Sequence, residues 1–176
     1  MERFTKSVEA ALASHNWYAA LYITFSLPDI CSRLESENDK TNGPKYAKWF
    51  ETYMPWYIGN NAHMSGMDCY VLRCSMLHEG ISDVAHQHKR DTLDRFYFSL
   101  LNHHLIQINN VMHLNVHEFC RHMVHGVTTW YEEFKVNHPD KMHKIGELLI
   151  VHDESYAADG AFFSAGPLLP VIPSSS

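Results

Sequence analysis

Residues 115–135 read NVHEFCRHMVHGVTTWYEEFK, and this stretch is the clearest guide to the fold. Asn115 is a preferred N-cap residue, and the apolar side chains after it recur at the three- and four-residue spacing of one helix face. They are Phe119, Met123, Val127, Trp130, Tyr131 and Phe134. Pro139 follows the break in the pattern. The stretch therefore predicts a long helix from Val116 to about Lys135.

The same helical spacing predicts further helices on both sides of this one. They cover residues 2–14, 17–35, 45–54, 65–80 and, as a short element, 140–151. Pro28 either begins a new segment or kinks the second of these helices. Ser65 and Asp68 match a capping box, and Gly80 is the expected C-terminal stop of the same helix.

Three short segments between these helices alternate apolar and polar residues: 96–100, 104–108 and 111–114. A small β-hairpin or meander fits this pattern about as well as a broken helix. We therefore expect a mostly α fold, a compact bundle of five or six helices with a small β element inserted near residues 96–114. Residues 1–152 form one helical domain in this interpretation. Residues 153–176, rich in Gly, Pro, Ala and Ser, form an irregular C-terminal tail.

The composition indicates a folded protein that neither coats DNA nor binds an anionic membrane. Of 176 residues, 45% are hydrophobic and 19% are charged, and the net charge is −6. A surface with so few charges also favours self-association. No apolar run is long enough for a membrane span, and the four cysteines lack CxxC spacing, so we expect free thiols in a cytoplasmic protein. Fourteen histidines predict a strong change of surface charge below about pH 6.5.

Arg73 and His78 are the best candidates for catalysis. A guanidinium binds phosphate oxygens through paired donors, and an imidazole can transfer protons near neutral pH without a metal. Five residues at 100° each place the two side chains about 140° apart on a straight helix. They meet only if the helix frays near His78 or if a second subunit completes the site.

The Arg73-x4-His78 spacing resembles the R-x4–6-H motif of the HEPN (higher eukaryote and prokaryote nucleotide-binding) superfamily. This resemblance implies a compact helical bundle, a homodimer with facing motif helices, and metal-independent endoribonuclease activity with defence or toxin roles. Cys74 follows Arg73 where catalytic members commonly place a polar residue. Residues 65–80, 16–21 and 27–31 also resemble a group of short uncharacterised bacterial and phage-borne proteins.

Other residues are candidates for supporting roles around this pair. Asp68 or Glu79 could orient Arg73 and His78, or pair with the arginine in a purely structural arrangement. The basic stretch before the first alternating segment could contact an RNA backbone, with Tyr97 available for stacking, or form a solvated loop. Its candidate RNA-binding residues are His86, His88, Lys89, Arg90 and Arg95.

A second histidine group lies in and just before the long helix: His113, His117, His122 and His125, with Cys120 among them. Their spacing could hold one transition metal. The zincin motif H-E-x-x-H is nevertheless absent, because Glu118 follows His117 but the residue three positions beyond Glu118 is Arg121. We therefore predict solvated histidines and no metal or cofactor. No Walker loop, nucleophile elbow or dinucleotide fingerprint occurs.

Two functional hypotheses follow. The first is a metal-independent endoribonuclease of HEPN type that cleaves RNA as a homodimer. The alternative is a catalytically silent helical module for protein interaction or self-association, with its aromatic stripes as core or interface.

Overall fold

The computed structural model describes residues 1–59, 62–85 and 92–164. Its six α-helices are α1 (Glu2–Ala13), α2 (Trp17–Glu35), α3 (Gly43–Tyr53), α4 (Gly66–Glu79), α5 (Val116–Asn137) and α6 (His143–Gly146). Short 3-10 helices occupy Pro55–Tyr57 and Pro139–Lys141. Five short strands complete the set, so the expected mostly α fold with a small β element is confirmed.

Side-chain caps explain where four of the helices begin. Asn16, Asn42 and Asn115 each accept a hydrogen bond from the backbone N–H three residues later, which satisfies a donor that the first helical turn leaves unpaired. Ser65 and Asp68 form the predicted capping box. At the other end of α4, Gly80 adopts the left-handed conformation with φ of 72°, as the predicted C-terminal stop requires.

Two helices differ from the sequence-based expectation. α2 is one continuous helix with Pro28 inside it, so the proline does not begin a new segment. Its buried face, which includes Phe25, Leu27 and Cys31, packs against the rest of the bundle and holds the helix together across the proline. The element expected over 140–151 is much shorter, because only the four residues of α6 are helical.

The bundle is organised around α2, which contacts α1, α3, α4 and α5. The rings of Phe25 and Phe119 lie 5.0 Å apart where α2 crosses α5. Between α3 and α4 the backbones approach so closely that a Cβ on Gly66 would lie 2.2 Å from the carbonyl oxygen of Ala47. Only glycine therefore fits at this contact.

A three-stranded sheet is inserted between α4 and α5, with strands β1 (Arg95–Ser99), β2 (Ile106–Ile108) and β3 (Val111–Asn115) in the order β1-β3-β2. β2 and β3 form an antiparallel hairpin, whereas β1 pairs with β3 in parallel. The predicted hairpin is therefore present, and the parallel strand beside it excludes a simple meander. Buried Phe96, Met112 and Leu114 attach the sheet to the core.

The chain divides into two compact units, Met1–Ile145 and Gly146–Ser176. In the second unit, strands β4 (Tyr156–Ala158) and β5 (Ala161–Phe163) form a hairpin. The prediction of an irregular tail is wrong for this segment, because the rings of Tyr156 and Phe163 stack at 4.9 Å across a turn with Gly160 at positive φ. Residues 165–176 of the predicted tail lie outside the described residues.

None of the helices in the described ranges combines the length and the apolar composition that crossing a bilayer requires.

Candidate functional site

Arg73 lies on α4 and is held by an acidic residue of α2. Its Nε donates a 2.7 Å hydrogen bond to Oδ2 of Asp29, and the exposed fractions of the two side chains are only 22% and 16%. Burial raises the pKa of Asp29, although the adjacent guanidinium opposes that change. The arrangement is a half-buried ion pair between two helices, and its acid is Asp29 rather than the Asp68 or Glu79 named in the structural interpretation of Arg73.

His78 lies in the last turn of α4 and is exposed to solvent. Within the described part of the chain, no hydrogen bond or ion pair joins it to another residue. Because α4 remains helical through Glu79, it does not fray at His78, and the separation of about 140° from Arg73 persists. One subunit therefore does not bring the two side chains together.

Asp68 has a structural role in capping α4. Its Oδ2 accepts hydrogen bonds from the backbone N–H and the hydroxyl of Ser65, and its Oδ1 accepts one from the backbone N–H of Leu93 at 2.6 Å. The acid that contacts Arg73 is Asp29, not Asp68. Glu79 is exposed at the C-terminal end of α4, one residue after His78.

Arg95 is the only one of the five candidate RNA-binding residues that lies within the described ranges; His86, His88, Lys89 and Arg90 lie outside them. It belongs to β1, forms an ion pair with Asp83, and donates a 3.3 Å hydrogen bond to the hydroxyl of Tyr97. The Tyr97 ring in turn stacks on His113 at 5.3 Å. The charge of Arg95 is thus paired within the subunit.

The second histidine group is spread over separate aromatic contacts. His113 is on β3, so its spacing to His117 is not a helical one. His117 contacts Trp17, whereas His122 and His125 both contact Trp56, and Cys120 is buried. In residues 1–59, 62–85 and 92–164 no group of three or more His, Cys, Asp or Glu side chains could hold one metal ion.

A hydrogen-bond network that the sequence did not indicate lies between Tyr57 and α5. The backbone N–H of Asn115 donates to Nδ1 of His104, so the neutral His104 ring carries its proton on Nε2. That Nε2–H donates to the Tyr57 hydroxyl at 2.9 Å, and the hydroxyl donates to Nδ1 of His122 at 3.2 Å. Nε2 of His122 then faces the Glu118 carboxylate at 3.7 Å. Every proton in this network has one defined direction.

The electrostatics of the network favour its neutral state. Burial, and then the nearby His122, lower the pKa of His104 to about 4. Burial also lowers the pKa of His122 and raises that of Tyr57. Because Tyr57 is completely buried, it cannot touch a substrate. The network therefore connects the β insertion to α5 through the buried Tyr57 hydroxyl.

An aromatic groove of about 320 Å³ lies where α2, the C-terminal end of α4 and β1 meet. Tyr22 lines it and is fixed by a 3.1 Å hydrogen bond from its hydroxyl to the carbonyl oxygen of Met76. Tyr18 and Tyr97 line it as well, with exposed fractions of 76% and 47%. We call this feature, with Ile81 at its edge, the tyrosine groove. It presents large apolar rings to solvent.

Sequence reasoning missed Asp29, Tyr57 and His104. Asp29 and Arg73 are 44 residues apart, and no local spacing indicates such a pair. For Tyr57, the signal was its position directly after Pro55 and Trp56, where a tight turn directs the chain into the core.

Comparisons of this chain with protein-family models, with curated proteins and with solved structures find no match.

Proposed function

We propose that this chain is a helical self-association module whose two-fold interface is formed by the tyrosine groove. The observation that carries this proposal is the exposure of Tyr18 and Tyr97 along an apolar groove. Tyrosine is enriched in protein interfaces because it contributes a large contact area at a low cost in side-chain entropy.

A second copy is the occupant that fits this groove. In a two-fold dimer the same patch must contact itself, so it needs both a protruding group and a cavity. The strongly exposed Tyr18 ring and the groove beside it meet both requirements on one face. The net charge of −6 and the internal pairing of Arg95 argue against a nucleic acid as the occupant.

Light scattering or sedimentation at several concentrations tests the proposal. We expect a dimer for the natural chain and predominantly monomer for Tyr18→Asp, because a carboxylate would be buried in the interface without a partner. Val136→Asp is the matched control, since Val136 is 78% exposed on α5, and it should remain dimeric. A dissociation constant of about 100 μM would be weak for a dedicated dimer. A natural chain that is still monomeric at about 100 μM would therefore contradict the proposal.

A metal-independent endoribonuclease is the second candidate, and the geometry of α4 allows it only in a dimer. Because α4 stays helical to Glu79, Arg73 and His78 can complete one site only across two subunits, as the resemblance to HEPN proteins implies. Arg73 of one subunit would bind the scissile phosphate, and His78 of the other would transfer the proton at the 2′-hydroxyl or the leaving oxygen. Asp29 accepts a hydrogen bond from Nε of Arg73. This bond involves one of the five N–H donors of the guanidinium, so it does not by itself prevent Arg73 from binding a phosphate.

Complementation between two inactive variants tests this second candidate. Labelled RNA is incubated in EDTA with Arg73→Ala, with His78→Ala, and with an equal mixture of both. Each variant alone should be slower by about 10²–10⁴-fold. If the site forms between subunits, the mixture should recover about a quarter of the natural activity, because half of the dimers are mixed and each has one intact site. No cleavage by the natural chain would leave only the self-association module.

A further inference from the structure

A small cavity of about 180 Å³ lies between the C-terminal end of α3, the 3-10 turn that follows it, and α5. It is smaller than the range of about 300–1,000 Å³ typical of drug-sized ligands, so it suits a small molecule. Its wall on α5 consists of residues four positions apart on one helix face: His125, Thr129 and Glu133. Its other wall consists of Thr52, Tyr53, Pro55 and Trp56.

Contacts between the two walls fix the side chains at both ends of this cavity. At one end, the Tyr53 hydroxyl donates a 2.9 Å hydrogen bond to Oε2 of Glu133. At the other end, the Trp56 ring lies 6.1 Å from the His125 ring, and 40% of Trp56 is exposed. Between these contacts α5 comes close to α3 at Gly126, where a Cβ would lie 3.0 Å from the carbonyl oxygen of Tyr53. An accessible indole and a carboxylate therefore border the same small cavity.

The carboxylate at this cavity has no cation within the described part of the chain. Glu132, the neighbour of Glu133, pairs with Lys135 at 2.6 Å, whereas Glu133 accepts its hydrogen bond from the uncharged Tyr53 hydroxyl. That bond uses Oε2, and a carboxylate can accept further bonds at its other oxygen. Burial, the hydrogen bond to Glu133 and the charge of Glu35 raise the pKa of Tyr53, so a second carboxylate adds to the negative potential here.

This combination of groups selects a cation with an apolar part. The face of a tryptophan or tyrosine ring attracts an ammonium group, and a carboxylate accepts charged hydrogen bonds from it. Pro55 and the exposed Trp56 offer apolar surface to an alkyl chain. An anionic ligand would instead be repelled by Glu133 and Glu35.

We propose that this cavity binds a small free alkylamine in its ammonium form. The ammonium group donates to Glu133 beside the Tyr53 ring, and the alkyl chain packs against Pro55 and Trp56. None of the residues that line this cavity lines the tyrosine groove, so occupation of the site does not depend on self-association.

Nuclear magnetic resonance of the ¹⁵N-labelled full chain tests the proposal. The four tryptophans give four indole N–H signals, and Trp56→Phe identifies the one that belongs to Trp56. The probes are butylammonium, its neutral counterpart butanol and its anionic counterpart butyrate, all at one ionic strength. We expect a saturable shift of the Trp56 signal with butylammonium, and binding of butanol and butyrate that is weaker by about tenfold or more.

Two adjacent glutamates provide the test variant and its matched control. Glu133→Gln should weaken binding of butylammonium about tenfold, as expected for loss of a charged hydrogen bond. Glu132→Gln removes the same charge from the next residue, whose carboxylate pairs with Lys135, and should leave binding unchanged. Methylammonium should bind about tenfold more weakly than butylammonium, because it lacks the methylenes that pack against Trp56.

Four results would overturn the proposal. They are no shift of the Trp56 signal at tens of millimolar butylammonium, equal binding of butanol, equal binding by Glu133→Gln, and tighter binding of a lysine blocked at its amino and carboxyl groups. The last result would assign the site to a lysine side chain of another protein instead of a free amine.

Discussion

Acidification should remove a defined part of the stability through His104. The folded chain lowers the pKa of this ring from 6.5 to about 4, because the ring is partly buried and lies beside His122. Above about pH 6.5 the ring is neutral in both the folded and the unfolded chain, and the contribution is fully present. Between the two values the unfolded chain binds a proton that the folded chain does not, so stability falls as the pH falls.

The size of this effect follows from the shift and the exposure of the ring. One pKa unit corresponds to about 1.4 kcal/mol, so the whole shift would give about 3 kcal/mol. Solvent reaches part of His104, and screening reduces the expected contribution to about 1–2 kcal/mol.

Urea denaturation at a series of pH values, for the natural chain and for His104→Gln, measures the contribution. The variant cannot bind a proton at this position, so the stability difference between the two chains should shrink by about 1–2 kcal/mol from neutral pH to about pH 4.5. His78→Gln, which changes an exposed histidine outside the network, is the matched control. A difference that stays constant with pH would refute the role assigned to His104.

Three further predictions concern single contacts. Tyr57→Phe should lower the free energy of unfolding by about 1–3 kcal/mol, because it leaves the two histidine nitrogens of the network without their shared partner; urea denaturation measures this loss. Arg73→Met should destabilise the chain by about 1–3 kcal/mol by leaving Asp29 half-buried without its cation, and a second change, Asp29→Asn, should restore part of the loss in a double-mutant cycle. Gly66→Ala should cost about 2–4 kcal/mol because its Cβ would meet the Ala47 backbone, whereas Gly146→Ala, with open space around it, should stay within about 0.5 kcal/mol in thermal melts.

Local signals in the sequence predicted the helices well. The Asn115 cap and the apolar stripe after it predicted α5 from Val116, which is where the helix begins, and it ends two residues beyond the predicted Lys135. Ser65, Asp68 and Gly80 marked both ends of α4. These features depend on residues three or four positions apart, so the sequence alone contains the information.

Contacts over long sequence distances could not be predicted in this way. Arg73 reaches Asp29 on another helix, and Tyr57 meets His104 and His122 only after the β insertion has packed against α5. For α6 the sequence predicted too much helix. The pattern over 140–151 is compatible with a helix, but only the four residues of α6 are helical. Helical propensity there is not supported by a buried face, because no residue of α6 is buried.

The parallel pairing of β1 with β3 has a consequence for the order of folding. β2 and β3 are separated by Asn109 and Asn110, so this hairpin closes a very short loop and can form on a timescale of about 1–10 μs. β1 pairs with β3 over a sequence separation of 16 residues, as in the match of Arg95 to Val111, so this pairing closes a longer loop than the hairpin does. We expect β1 to join the sheet last. Slow steps in refolding should therefore be more sensitive to substitutions at Phe96, which attaches β1 to the core, than to substitutions in the turn of the hairpin.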